Sequence, residues 1–219
     1  MYAHTEHVPE QSDPRTPDAA QELRREVKEF VKLIAWFLVL FLVLKLWVIE
    51  VYEVQGESMQ PTLESKDRIL VLKLPHVLSQ TGWFGNWDPI APADVIVFDS
   101  PDNTNKRYVK RVIAEGPPSS SGAVAAEQLG SEPHVSVRIV EGRVYVNNRA
   151  LTDDFVRETA FDPHEHAAET LLGPKQYYVL GDNHAVSRDS RSFGPVDDHI
   201  VIGKAVLRFW PLNRVGRVQ

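Results

Sequence analysis

The chain contains no cysteine. Disulfides, thiolate nucleophiles and cysteine-ligated metals are therefore excluded, and the redox compartment is left open. Positive charge is not in excess either. With 24 Lys and Arg against 30 Asp and Glu, the formal net charge is −6, which argues against general nucleic-acid binding. The HExxH spacing of zinc peptidases is missing; His164 and His166 stand close together in DPHEHAAE, a stretch that reads as a solvated loop. The GxSxG elbow is missing too, because Gln60 occupies its last glycine position. Beyond residue 50 no long helical pattern separates the apolar runs, so a βαβ repeat is not implied, and no internal repeat is visible.

What is present begins with 219 residues of 43% hydrophobic content, enough for one sizeable domain or a domain with an insertion. Residues 1–29 are polar and carry Pro9, Pro14 and Pro17, which predicts a flexible tail turning helix-friendly from about Ala19. Residues 30–49 are expected to form a transmembrane helix. Within them 33–44, LIAWFLVLFLVL, is unbroken apolar sequence, with Lys32 and Lys45 near its ends and Trp36 and Trp47 suited to the two interfaces. Twenty helical residues span roughly 30 Å, the thickness of a bilayer core. Arg24, Arg25, Lys28 and Lys32 precede the run and Glu50, Glu53 and Glu57 follow it, so the tail is expected inside the cell and residues 50–219 outside. A long charged leader and the lack of a small-residue site after Ile49 argue against a cleaved signal peptide.

After this segment the chain reads as β. Runs at 48–55, 67–74, 93–99, 107–114, 135–140, 143–146, 176–180 and 199–209 are rich in Val, Ile, Leu and aromatics. Glu141-Gly142 and Asn147-Asn148 supply hairpin turns on either side of 143–146. Residues 83–92 read as a loop, 117–130 as a flexible entry into an insertion, and 153–174 as acidic and irregular.

Three blocks carry the chemistry. In Gly56-Glu57-Ser58-Met59-Gln60-Pro61-Thr62-Leu63 the proline disfavours helix at Gln60, which puts Ser58 on a turn where a hydroxyl can stand in the open. A serine nucleophile needs a base, and none of the eight histidines is placed beside it by sequence; His184 is the one lying in a dense polar block. A lysine serves as base only when burial lowers its pKa. Lys110 lies in YVKRVI, where alternation gives it a strand face shared with Tyr108 and Val112. The third block, GDNHAVSRDSRSFG at 181–194, follows the run QYYVL and is packed with hydrogen-bonding groups between two glycines.

The apolar segment, GESMQPTL, DRILVLK, DVIVF, YVKRVIAEGP and GDNHAVSRDSRSFGPV together, in this order, resemble the boxes of the type I signal peptidases. The resemblance implies a mainly β fold, a signal-peptidase-like catalytic domain of coiled antiparallel sheet on a single N-terminal transmembrane helix, with a variable inserted subdomain at about 117–175. It implies Ser58 as nucleophile, Lys110 as general base, Ser187 as the serine that orients the lysine, and Asp189 and Arg191 as structural support. The Ser58 amide matches one oxyanion donor. Where some relatives supply a second from a serine hydroxyl, this chain has Gly56, so that donor is a backbone group, water or absent. Tyr52, Val54, Met59, Leu63, Tyr108 and Val109 match positions lining shallow apolar pockets. No cofactor is implied. The implied partners are signal peptides of secreted preproteins, a phospholipid membrane and the neighbourhood of the export translocon, not nucleic acid. The sequence departs from the family at Glu115-Gly116-Pro117-Pro118, at Lys66-Asp67 and at Ala93-Asp94, each of which replaces a glycine-aspartate turn. A self-cleaving Ser–Lys repressor shares fold and dyad but carries a DNA-binding domain where this chain has an apolar segment. A non-catalytic anchored β-domain has no reason to keep the three polar residues in order.

Overall fold

The computed structural model describes residues 19–43, 45, 48–73, 76–78, 90–102, 104–117, 134–152, 162, 164 and 166–218. The chain divides into two compact units, Met1–Leu44 and Lys45–Gln219.

The first unit is one helix, α1 (Ala19–Val43). It starts where the composition turns helix-friendly, so 19–29 are helical while 1–18 lie outside the described residues. Its apolar side chains are exposed around the whole circumference: Phe30 is 63% exposed, Leu33 66%, Trp36 68% and Leu40 58%. No helix among the described residues is long and apolar enough to cross a membrane. At the end of the expected span of 30–49, Ile49 already belongs to a strand.

The second unit is antiparallel β. One sheet has the order β1 (Ile49–Glu53), β2 (Arg68–Leu72), β11 (Val201–Trp210), β3 (Val95–Asp99), β4 (Arg107–Glu115), β9 (Gln176–Leu180), β10 (Val196–Asp197), with β12 (Gly216–Arg217) paired to β11. A smaller sheet has the order β7 (Arg149–Ala150), β6 (Arg143–Val146), β5 (Val135–Val140), β8 (Ala167–Leu172). All eight expected strands form, from runs rich in β-branched and aromatic residues, and successive residues of β3 and β9 are buried on both faces. The two-residue turns at Glu141-Gly142 (φ 49° and 71°) and Asn147-Asn148 (φ 49° and 65°) have the positive φ of type I′ hairpins. β8 overturns the expectation of an irregular 153–174. Its AAETLL carries little β-branching, and pairing with β5 decides its conformation. Residues 83–89 and 118–130 lie outside the described residues.

Three apolar clusters hold the unit together. Val54, Met59, Leu63, Ile69, Val71, Val95, Val97 and Ala205 pack under the Ser58 loop. Ile96, Phe98, Val112, Tyr177, Val179 and Val196 fill another side of the large sheet. Ile113, Tyr178 and Leu180 meet Val137, Ile139, Val144 and Leu172, which joins the small sheet to the large one.

Lys66 (φ 76°) and Ala93 (φ 79°) occupy left-handed backbone at the turns where the sequence departs from glycine. A Cβ in that region costs roughly 1–2 kcal/mol. Ala93→Gly and Lys66→Gly are therefore expected each to raise stability by about 1 kcal/mol, after the unfolded-state entropy of glycine is subtracted. Thermal melts of the purified protein should show an increase of roughly 2–4 °C per substitution.

Candidate active site

The loop that carries Ser58 leaves the edge strand β1 and turns before β2. Pro61 stops any helix, and short turn bonds form instead, from Gln60 N to Glu57 O (3.1 Å) and from Leu63 N to Met59 O (2.8 Å). Met59 and Leu63, at 1% and 0% exposure, plug this loop into the core. They were expected to line substrate pockets. The structure places them under the loop instead, where their burial fixes the height of Ser58 above the sheet. The Ser58 carbonyl accepts a bond from Asn183 N–H at 3.0 Å, which turns the residue's other groups toward the open side. Gly56 is exposed, with φ 87° and open space where a Cβ would be.

Lys110 comes from the middle of β4, opposite Ile96 of β3. It is 3% exposed. Its Nζ donates to Ser58 Oγ at 2.7 Å and to the Val109 carbonyl at 3.0 Å, and lies 5.6 Å from the centre of the Tyr108 ring. Burial pushes its pKa down from 10.5 to about 8, against the pull of Asp189 and Asp182 in the opposite direction. The amine is thus a usable base near neutrality. Tyr108 is fixed in turn by stacking on Phe193 at 6.0 Å.

Phe193 ends α2 (Ser190–Phe193), the short helix that closes the polar block. Asp189, fully buried, caps that helix and accepts from Arg191 Nε (2.8 Å), Arg191 Nη2 (2.9 Å) and Gly181 N–H (3.1 Å). Arg191 also donates to the His184 carbonyl at 2.8 Å. The pair therefore staples the loop 181–189 shut. A side chain at Gly181 would collide with Ser187 Oγ and with the Ser58 carbonyl, so only glycine lets these two serines approach. Ser187 is near the site, but the expected bond to the lysine is not formed. Lys110 Nζ takes the Val109 carbonyl, and Ser187 Oγ is buried without a hydrogen-bond partner. His184 is buried beside Arg191, and burial first, then that cation, pushes its pKa down to about 4. His164 and His166 are exposed. No group of three or more potential ligands for a metal occurs among the described residues.

Two further clusters were not singled out from the sequence. Arg111 follows Lys110 and points to the opposite face of β4, 2% exposed. It grips Asp182 in a bidentate pair (2.8 and 2.7 Å), the Ala93 carbonyl at 2.8 Å and Thr62 Oγ1 at 3.2 Å, tying the serine loop, the turn before β3 and the polar block to one cation. The available signal was a second cation inside an apolar strand, which demands a buried carboxylate. Across the cleft, Arg107 Nη1 donates to Tyr52 Oη at 2.7 Å and Glu50 Oε1 at 3.2 Å, linking β4 to β1. Burial works against ionisation of Glu50, but its bonds from Lys73 and Tyr52 outweigh this and hold the carboxyl below its ordinary value. Burial and the Glu50 carboxylate push the Tyr52 phenol well above its own.

These elements enclose a cleft of about 870 Å³. Ser58 and Lys110 lie in it, with Tyr52, Val54, Val97, Tyr108 and Val109 as apolar walls and Gly56 and Arg188 on the rim. Of the expected pocket residues, Tyr52, Val54, Tyr108 and Val109 line the cleft. The arrangement offers a hydroxyl, a desolvated amine and a trough wide enough for an extended chain.

Residues 27–118 and 133–210 match the family described as Signal peptidase, peptidase S26. Signal peptidase I of Leptolyngbya laminosa is 30% identical over 219 residues, covering 95% of this chain and 92% of its own. Signal peptidase IB of Staphylococcus aureus (strain COL) is 30% identical over 199 residues, covering 87% and 93% respectively. A solved signal peptidase I from Enterococcus faecalis V583 aligns with 53% of this chain and 97% of its own at 25% identity and a TM-score of 0.39. The chain belongs to the signal peptidase family, peptidase S26, and is a serine endopeptidase.

Proposed function

We propose that this chain removes N-terminal signal peptides from exported preproteins, at Ala-x-Ala-like sites, through a Ser58–Lys110 dyad and an acyl-enzyme. The observation that carries the reading is the 2.7 Å contact between Ser58 Oγ and a buried lysine whose pKa is lowered to about 8. In the reactive form the neutral amine accepts the hydroxyl proton while keeping one N–H on the Val109 carbonyl. Ser58 Oγ bonds to the scissile carbonyl carbon, and the protonated Lys110 then gives its proton to the departing amine as the C–N bond breaks. Water, deprotonated by the same amine, attacks the ester and releases the new carboxylate. Ser58 N–H supports the oxyanion, with the backbone at Gly56 as the neighbouring candidate. The unpartnered Ser187 hydroxyl is a ready acceptor for the remaining lysine N–H and gives it a positioning role. Small apolar walls between Tyr52 and Val109 suit the small residues of such cleavage sites.

We further propose that the chain is anchored in the plasma membrane, with 1–29 inside and the catalytic unit outside. Support comes from the apolar sequence at 33–44, which continues through 46–49, and from the exposure of α1's large side chains on every side. Anchoring keeps the cleft near the surface where signal peptides emerge from the translocon.

Ser58→Ala and Lys110→Ala should each reduce cleavage of a preprotein by several orders of magnitude with non-additive losses, and Ser187→Ala should reduce it partially. Wild-type turnover in either dyad variant would sink the assignment.

The pH dependence follows from burial. A pKa of about 8 leaves on the order of one amine in ten neutral at pH 7, so kcat/KM should climb along a single limb centred near 8. A limb set by His184 would lie near 4. The same shift has a cost. Below pH 8 the folded state holds an ammonium it disfavours; above 10.5 both states are neutral and the cost vanishes. Lys110→Met should stabilise the protein by up to about 3 kcal/mol at pH 7, and denaturant titrations should show the gain fading toward pH 10.5.

Protease added outside spheroplasts is expected to digest the catalytic unit and spare residues 1–29. Protection of the catalytic unit would reverse the orientation.

A further inference from the structure

Tyr52 and Arg107 belong to opposite walls of the cleft, yet they touch. Their strands, β1 and β4, are first and fifth in the order of the large sheet, with β2, β11 and β3 between them. Backbone pairing does not join these two strands among the described residues; side chains do. Arg107 Nη1 donates to Tyr52 Oη at 2.7 Å and to Glu50 Oε1 at 3.2 Å. Its Nε donates to Asp99 Oδ1 at 3.4 Å, and its guanidinium carbon lies 5.2 Å from the centre of the Tyr52 ring. The Tyr52 hydroxyl in turn bonds to Glu50, a carboxylate that Lys73 also holds at 3.0 Å. An isolated surface ion pair is weak largely because two long side chains must be kept in one geometry. Three anchors on one guanidinium, with a ring beneath it, remove that freedom and make Arg107 a fixed wall. The planar fork is what permits this, since a lysine ammonium is a point charge on a flexible stem.

The wall stands at the end of an apolar hollow. Alternation along β4 puts Arg107 and Val109 on one face. Val109 and Tyr52 pack against the cluster that contains Val54 and Val97, and all four side chains line the cleft. The Arg107–Tyr52 bond crosses from one side of this hollow to the other, so the two sides cannot spread there without breaking it. Arg107 precedes Lys110 by three residues, roughly 10 Å along the strand. An extended substrate advances at the same rise. The side chain that meets the wall is therefore the third from the scissile bond, and alternation turns it to the same side as the first.

We propose that Arg107, clamped by Tyr52, Glu50 and Asp99, is a specificity-determining residue that closes this hollow and restricts the third position before the cut to small side chains. The inference rests on the proposed peptidase reading, in which the residues before the cut bind between Tyr52 and Val109. A rigid apolar pocket discriminates by roughly 10–200-fold per methylene, and the discrimination falls when a wall can yield.

The test is a ratio. Peptides spanning one Ala-x-Ala site, with Ala, Val, Leu or Phe third before the cut, are cleaved by the purified full chain and by Arg107→Gln, Arg107→Lys and Tyr52→Phe. Tyr52→Phe keeps the ring and removes only the hydroxyl that bridges the cleft. Arg68→Gln is the control, because it removes the Arg68–Glu53 pair of β1 and β2 and leaves the bridge intact. Wild type should favour Ala over Leu in kcat/KM by about a hundredfold. Arg107→Gln and Tyr52→Phe should each shrink that preference at least tenfold, with Arg107→Lys nearer to the glutamine variant than to wild type. Loss of folded enzyme lowers all four peptides alike and leaves the ratio where it was, so a merely structural role predicts no change. An unchanged preference in both bridge variants refutes the proposal while the peptidase reading stands. An equal shift in Arg68→Gln would trace the effect to general loosening of β1 and also refute it. A relaxed preference at the third residue after the cut, in place of the third before, would reverse the substrate's direction and overturn the assignment. If wild type cuts none of the peptides, or Ser58→Ala cuts them as well, the peptidase reading fails and the proposal falls with it.

Discussion

Keeping the Lys110 amine out of water is the constraint around which the catalytic unit is arranged. Desolvation lowers its pKa, yet two carboxylates stand close enough to raise it again. Each of those carboxylates is engaged by its own arginine: Asp182 by Arg111 and Asp189 by Arg191. A paired carboxylate offers the lysine far less compensation than a free one, so the low pKa survives next to two acids. The arginines do not neutralise the site by accident of proximity. Both pairs are nearly or fully buried, and such pairs persist only when their remaining donors and acceptors are satisfied, here by Ala93, Thr62 and His184.

The same two cations carry the architecture. Arg111 reaches the Ser58 loop through Thr62, and Arg191 closes the loop that holds Asn183 against the Ser58 carbonyl. From the far side Arg208 donates to the Thr62 carbonyl at 2.7 Å and approaches the buried Asp67. Ser58, the proposed nucleophile, therefore sits on a loop that is not part of any strand but is held from three directions. That arrangement reconciles an exposed hydroxyl with the small positional tolerance that nucleophilic attack demands.

Stability and chemistry pull apart at several positions. A buried amine, a buried hydroxyl without a partner and left-handed backbone at Lys66 and Ala93 all carry a cost. The first two lie at the proposed reacting centre, where burial lowers the pKa of the Lys110 amine and so leaves more of it neutral near pH 7. The turn strain lies at the entries to β2 and β3 and serves no visible chemistry.

Much of the outcome was local and therefore legible. Alternation in YVKRVI fixed which face Lys110 would take, positive-φ residues at 141–142 and 147–148 fixed two hairpins, and Pro61 fixed a turn at Ser58, because each depends on residues within a few positions of one another. Met59 and Leu63 show the limit of such reading. Cleft wall and core are equally apolar, and only packing against Ile69, Val71 and Val97 decided that these two belong to the core. β8 likewise became a strand through a partner in β5, not through its own propensity. Arg111 and Asp182 are 71 positions apart, and Ser58 and Lys110 are 52 apart. Sequence supplied the residue types, but the closing of those distances, and the choice of the Val109 carbonyl over Ser187 as the lysine's second partner, were settled by how the strands pair and by which groups burial left within reach.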